Sequence, residues 1–149
     1  MKTIQKMYEH LNWANKRILE TLQSIEGEIH DEVRLFSHLL LAEKVWITRL
    51  HGLDSSLLPI WLEGNINICA ELVRQNEESL TTFISNVTNA DLDKLIVYTN
   101  SKGTEFKNSV HDILTHVALH GQYHRGQINS RLRIDSFEPV NIDFITFVR

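Results

Sequence analysis

The chain has 149 residues, 42% of them hydrophobic, a size and composition that suit a single domain over residues 1–149 around one core. Its formal net charge is −4, from 15 Lys and Arg against 19 Asp and Glu, and it has no basic run, so nucleic acid is not expected as a partner. Cys69 is the single cysteine, which excludes an internal disulfide, and no segment suits a signal peptide or a membrane span, so we expect a soluble cytoplasmic protein without a membrane partner.

The first periodic segment predicts a helix over residues 3–25 that ends near Gly27. On this helix we expect His10 to be exposed and Trp13 to anchor packing. The apolar residues that recur at three- and four-residue steps are Ile4, Met7, Tyr8, Leu11, Ala14, Ile18, Leu22 and Ile25.

A second helix is predicted over residues 29–51, with Gly52 placed to end it. His38 is in phase with its apolar residues, although a lone inward histidine is more often a hydrogen-bonded core residue than a ligand. Glu43 and Arg49 are interpreted as solvated residues.

The segment 52–64 is bracketed by glycines and contains Pro59, which predicts a loop. It is unusually apolar for a loop, so we expect it to cover an end of the core or to contact a partner, such as a second copy in a homodimer. The side chains concerned are Leu57, Leu58, Ile60 and Trp61.

Asn65 is a suitable N-cap for a third helix, which contains Cys69 as a core residue and ends near Thr88 or Asn89. Two short stretches, 95–99 and 104–107, follow it. They flank a turn-forming sequence and predict a β-hairpin.

Ser109 and Asp112 have the spacing of a capping box and open a fourth helix that runs to about Arg133. The tail from Asp135, which contains Pro139, is expected to pack on the bundle or to continue the small sheet. Because each amphipathic helix needs the others to cover its apolar face, the chain predicts an all-α four-helix bundle with a small β-hairpin between helices 3 and 4.

The fourth predicted helix carries His116, His120 and His124, and their four-residue spacing places them on one helical face. With an advance of about 100° per residue, the apolar stripe is centred roughly 75° from His120. His124 lies inside this stripe, His120 at its margin and His116 beyond it, so the buried pair should be His120 and His124. Either a shared metal ion or hydrogen bonds in the core can offset the free-energy cost of burying two imidazoles. The pattern leaves both interpretations open. In a bundle, His38 can meet this pair.

The sequence resembles the DinB/YfiT-like superfamily over nearly its whole length. The most specific match is the run from His120 through His124 to Arg125, Gly126 and Gln127, combined with the earlier His38. Weaker matches are Tyr8 with Trp13-Ala14-Asn15, Trp46 with Leu50-His51-Gly52, and Pro139 with Ile142-Asp143.

The resemblance implies a helical bundle in which His38, His120 and His124 hold a divalent metal ion, in agreement with the helical wheel. His116 matches a histidine of the family motif that is not a usual ligand. Arg125 and Gln127 also match the motif, and we expect them to form salt bridges or caps between helices rather than to take part in chemistry.

Three imidazoles leave the fourth position of a tetrahedral ion open, as in catalytic zinc sites, and zinc or nickel is the expected metal. Members of the superfamily include thiol-dependent transferases. The resemblance therefore implies a metal-dependent enzyme, a thiol S-transferase or a hydrolase, that acts on a low-molecular-weight thiol or another small molecule. Glu9 and Glu43 are the available candidates for a general base. Two other interpretations are a non-catalytic metal- or ligand-binding bundle of stress response that acts through a partner, and a purely structural bundle.

Overall fold

Four long helices form the body of the computed structural model, which describes residues 1–149. They are α1 (Lys2–Ser24), α2 (His30–Leu50), α3 (Ile66–Asn86) and α4 (Val110–Ile134). Between α3 and α4 lie a 3-10 helix (Asn89–Asp93) and an antiparallel hairpin of β1 (Leu95–Thr99) and β2 (Glu105–Ser109), and a short α5 (Phe144–Val148) follows α4. The predicted four-helix bundle with a small hairpin is confirmed.

Capping residues mark the ends of the helices. The Asn65 side chain accepts a hydrogen bond of 3.0 Å from the Ile68 N–H and caps α3, as predicted. Ser109 caps α4 by accepting a bond of 3.0 Å from the Asp112 N–H. The Asp112 carboxylate does not return a bond, so the predicted capping box is half formed. Gly52 follows α2 with a φ of 71°, a conformation that glycine adopts at little cost.

Two apolar clusters fill the bundle along its length. One contains Phe36, Leu39 and Cys69, and the other contains Leu11 and Leu114. Each of these side chains is at most 1% exposed, which confirms Cys69 as a core residue. The contact between α2 and α4 is the most extensive between helices, and it brings the histidines of these two helices together. None of the helices combines the length and the apolar character that crossing a membrane requires.

The tail after α4 packs on the bundle and does not extend the hairpin. Val140 and Ile142 are buried in the core. The Asn129 side chain donates to the Val140 carbonyl and accepts from the Val140 N–H, at 2.8 Å in both cases. These contacts fix the path of the chain into α5.

His10 is buried beneath this tail, so the prediction that it is exposed is wrong. Its Nε2 donates to the Ile142 carbonyl at 2.7 Å, and its ring contacts Phe144 and Phe147. The side chain is 7% exposed. The periodicity of α1 does not reveal this burial, because the covering residues come from the other end of the chain.

The apolar loop between α2 and α3 does not cover an end of the core, contrary to one of its two predicted roles. Leu57 is 95% exposed, and Ile60 is also exposed. Trp61 instead lies flat on His38, with ring centroids 3.7 Å apart and ring planes 8° apart. The loop therefore covers a histidine of the predicted site, and its contact with a partner stays a prediction.

Candidate metal site

Three histidines from two helices meet on one side of the bundle. His38 comes from α2, whereas His120 and His124 come from successive turns of α4. One ring nitrogen from each lies within 4.8 Å of the other two, and this is the only group of three or more His, Cys, Asp or Glu residues that close together. The Nε2 atoms of His120 and His124 are 3.0 Å apart. The structure thus brings together the residues named from the sequence, in an arrangement that can hold a metal ion.

The burial of these rings agrees only in part with the helical wheel. His120 and His124 are half-buried and His116 is exposed, although the first two are less enclosed than the term buried pair implies. The His116 ring lies 5.3 Å from that of His120 and 5.2 Å from that of Trp46. His116 therefore flanks the cluster without joining it.

In two of the three rings, a hydrogen bond from Nδ1 fixes the orientation of the ring. His38 Nδ1 donates to the Ile60 carbonyl at 2.8 Å, and because a carbonyl can only accept, His38 Nε2 keeps its lone pair. His124 Nδ1 donates in the same way to Gln127 Oε1 at 2.7 Å. Hydrogen bonds of this kind set the tautomer and the ring orientation of metal-binding histidines. Gln127 thus orients His124 instead of linking helices.

The surroundings favour the neutral form of the His120 and His38 imidazoles. Burial, together with the nearby His124, His116 and His38, lowers the pKa of His120 to about 4. Burial also lowers the pKa of His38 below its usual 6.5, although the bond to Ile60 opposes this change. Metal ions bind the neutral form, and three imidazole donors suit several divalent ions. The donor set therefore fits a divalent ion.

Arg125 follows His124 in the sequence but points into the core, where it is 1% exposed. Its Nη1 donates to Asn15 Oδ1 at 2.8 Å, and the Asn15 amide donates to Glu43 Oε1 at 2.9 Å. Arg125 therefore connects α4 to α1, as expected of a residue between helices, but it does so through a hydrogen bond. Burial lowers its pKa to about 10, while the charge of Glu43 opposes that change.

Glu43 is 2% exposed, so its interpretation as a solvated residue is wrong. Amide groups of Asn15 and Asn76 donate to its two oxygens, at 2.9 and 3.0 Å. Burial raises the pKa of Glu43, while these bonds and the charge of Arg125 act in the opposite direction. A carboxylate satisfied in this way belongs to the bundle interior.

Gly121 leaves room for the guanidinium of Arg125. A Cβ atom at position 121 would lie 3.1 Å from Arg125 Nη1 and 3.3 Å from Nη2. Both distances are shorter than ordinary van der Waals contact with carbon. The first glycine of the histidine motif is thus explained by a close approach in the core.

Neither carboxylate considered as a general base lies at the histidine cluster. Glu9 is exposed and pairs with Lys6 at 3.3 Å, and Glu43 is held by its asparagine partners. The group of candidate ligands contains no carboxylate. The site therefore has imidazole donors but no positioned carboxylate base.

Sequence reasoning missed three neighbours of His38. They are the Ile60 carbonyl, the stacked Trp61 ring and Arg34, whose guanidinium lies 4.5 Å from the centre of that ring. The apolar character of the loop was a visible signal, but nothing in the sequence indicated that the loop folds back onto α2.

Comparison with known proteins agrees with this fold and motif. The family model described as DinB family matches residues 1–149. The chain is 28% identical to Protein DinB of Bacillus subtilis (strain 168) over an alignment of 156 positions, which covers 93% of this chain and 90% of that protein. Its fold is similar to the crystal structure of a DinB-like protein from Bacillus cereus ATCC 10987, with a TM-score of 0.66, 16% identity, and coverage of 95% of this chain and 96% of that one. The resemblance read from the sequence is confirmed, and the chain belongs to the DinB family.

Proposed function

We propose that this protein binds one divalent metal ion through His38, His120 and His124 and acts as a metal-dependent enzyme of the thiol S-transferase or hydrolase type. The observation that supports this most is the convergence of three imidazole nitrogens within 4.8 Å of one another. Zinc or nickel is the expected ion, although imidazole donors suit copper and iron as well.

A bound divalent ion with three imidazole ligands supplies an open position where a thiol or a water molecule loses its proton more readily than in solution. The chain itself holds and orients the ligands. Ile60 and Gln127 direct the Nε2 atoms of His38 and His124 toward the cluster, and Trp61 covers one face of the His38 ring. This support favours a preorganised site.

Thiol transfer is favoured over hydrolysis because no carboxylate lies among the converging histidines to act as a base. Glu9 pairs with Lys6, and Glu43 is bonded inside the bundle. In thiol transfer, the sulfur forms a bond to an electrophilic carbon, the bond to the leaving group breaks, and the thiol proton passes to solvent. This reaction needs no separate protein base once the thiol has ionised.

A cleft beside the cluster offers room for a small molecule. Its volume is about 310 Å³, and His116, which adjoins His120, forms part of its wall. This volume lies in the range of small-molecule sites. The remaining lining residues are Trp46, Tyr98, Asn108, Asp112 and Ile113.

Metal content measured after purification without added metal tests the first part of the proposal. Wild type should carry stoichiometric metal, and alanine at position 38, 120 or 124 should abolish it. His116→Ala and His51→Ala should retain it, because neither residue belongs to the cluster. Loss of metal in His116→Ala but not in His124→Ala would contradict the assignment.

Cobalt substitution tests the second part. Low-molecular-weight thiols should produce a sulfur-to-cobalt charge-transfer band and a metal-dependent conjugation to a test electrophile, both absent in His120→Ala. A protein that binds metal but gives no band and no turnover above background would support the alternative, a non-catalytic metal- or ligand-binding bundle that acts through a partner. The absence of a positioned base at the cluster favours that alternative over a hydrolase, but not over a thiol transferase.

A further inference from the structure

Arg49, near the end of α2, is a partly buried arginine that pairs with no carboxylate. Its Nε donates to Ser55 Oγ at 3.1 Å, and its Nη2 donates to the Thr99 carbonyl at 3.4 Å. The guanidinium also lies 4.6 and 4.7 Å from the ring centres of Trp46 and Tyr98. The interpretation of Arg49 as a solvated residue is therefore wrong: two aromatic rings and a loop enclose it.

The Arg49 side chain borders a cleft of about 350 Å³ between the loop that follows α2 and the turn of the hairpin. Neutral polar side chains line much of this cleft, and no aspartate or glutamate does. The nearby Asp54 carboxylate is bonded to the N–H and hydroxyl of Ser56, at 2.9 Å each. The neutral polar residues are Ser55, Ser56, Thr99, Asn100 and Ser101.

Ile60 connects this cleft with the histidine cluster. It lines the cleft, while its carbonyl accepts the hydrogen bond from His38 Nδ1. The next residue, Trp61, stacks on the same histidine. A molecule anchored at Arg49 would therefore lie next to the loop segment that orients His38.

We propose that the Arg49 cleft binds an oxyanion group, a carboxylate or a phosphate, of the small molecule that reacts at the histidines. A guanidinium is always charged, and its donors match such groups. Because no carboxylate of the protein pairs with Arg49, an incoming anion would not compete with one for the guanidinium. The hydroxyls of Ser55 and Ser101 supply further donors, whereas that of Ser56 already donates to Asp54. The link to the reaction rests on the proposed function, whereas the anion site stands on its own geometry.

The test is a titration of metal-free, 15N-labelled protein with succinate and, separately, with inorganic phosphate at constant ionic strength. Saturable shifts are expected for Arg49 Nε and for the amides of Ser55 and Ser101. Arg49→Gln should weaken binding about tenfold or more, because a charge-assisted hydrogen bond is lost. The tighter of the two anions identifies the group as carboxylate or phosphate.

Three further variants make this test specific. Arg49→Lys should bind with an affinity between wild type and Arg49→Gln, because it keeps the charge without the planar fork. Ser101→Ala should weaken binding without disturbing the fold, because Ser101 lies in an exposed turn. Arg17→Gln should match wild type, because Arg17 also lies over a tryptophan, at 5.0 Å from the Trp13 ring, but outside the cleft. Absence of saturable shifts, or equal affinity in wild type and Arg49→Gln, overturns the anion site.

A second measurement tests the link to the reaction. Mercapto acids of increasing chain length are compared with mercapto alcohols of equal length on cobalt-loaded protein. At the length that spans the two sites, the acid should bind more tightly than the alcohol, and Arg49→Gln should remove the difference. If the acid shows no advantage at any length, the link is overturned while the anion site stands. If cobalt does not bind, the proposed metal function fails, and the metal-free titration still decides on Arg49.

Discussion

His124 and Arg125 are adjacent in the sequence but belong to two different polar environments. Arg125, Asn15 and Glu43 form part of a closed network, in which buried groups bond to one another and only Arg125 Nε lacks a partner. The histidine cluster is half-exposed, and the Nε2 atoms of His120 and His124 lie 3.0 Å apart, within hydrogen-bonding distance of each other. A buried hydrogen-bonded network specifies how helices pack, whereas nitrogen atoms that converge at a surface are available to a ligand. Because consecutive residues of a helix point about 100° apart, His124 belongs to the cluster while Arg125 points into the core.

Removal of the buried cation should have the largest effect on stability. Arg125→Ala leaves the buried Glu43 carboxylate without its counter-charge, so the free energy of unfolding should fall by about 3 to 5 kcal/mol. Urea denaturation of the metal-free protein measures this change. Arg133→Ala, an exposed arginine on the same helix, should change stability by less than about 0.5 kcal/mol. If the two losses were equal, the closed network would not be the stabilising element described above.

Removal of the Gln127 amide should instead weaken metal binding at the histidine cluster. Gln127→Ala deletes the acceptor for His124 Nδ1, so metal affinity should fall by about 10- to 100-fold. Competition with a chromophoric chelator measures this affinity. Ser130→Ala, an exposed change on α4, should leave metal affinity unchanged. A fall in the stability of the metal-free protein as large as that of Arg125→Ala would show that the two regions are not separate.

His10 provides a smaller test of this comparison, because it is a buried histidine with a hydrogen-bond partner inside the protein. Burial lowers its pKa below 6.5, although the bond to Ile142 and the charge of Asp143 oppose this change. The unfolded chain therefore binds the proton more tightly. The contribution of His10 to stability is present above pH of about 6.5 and is lost as the pH falls through its lowered pKa.

His10→Gln removes this titration. Between pH 7 and pH 5, wild type should lose more free energy of unfolding than the variant, by up to about 1.4 kcal/mol for each unit of lowered pKa. Urea denaturation at a series of pH values measures the difference, and the exposed His111→Gln serves as control. Parallel curves for wild type and His10→Gln would contradict the assignment.

The features predicted correctly from the sequence depend on local geometry. Helical periodicity gave the four helices, and Asn65 and Ser109 marked two of their starts because a cap acts within one turn. The relative burial of His116, His120 and His124 also follows from the helix period. The choice of His38 as their companion drew on the bundle topology and on the family resemblance.

Most of the predictions that failed concern contacts between residues far apart in the sequence. The interpretation of Glu43 as solvated omitted the asparagine partners that α1 and α3 supply. The predicted exposure of His10 omitted the tail, and the predicted role of the loop omitted the stacking of Trp61 on His38. Periodicity identifies which face of a helix is apolar, but it does not identify which segment will cover a polar residue on that face.

Gly121 and Gly126, the two glycines of the histidine motif, differ in whether alanine can replace them with a gain in stability. Alanine is favoured over glycine by about 1 kcal/mol inside a helix, so replacement of a helical glycine is a common way to raise thermal stability. At Gly126 nothing lies within 4 Å of the position that an alanine methyl group would take, and Gly126→Ala should raise the melting temperature. At Gly121 the methyl group would meet the Arg125 guanidinium, so Gly121→Ala should give no such gain. Alanine therefore cannot correct the low helix propensity at position 121, because its methyl group would take the space that the buried Arg125 guanidinium occupies.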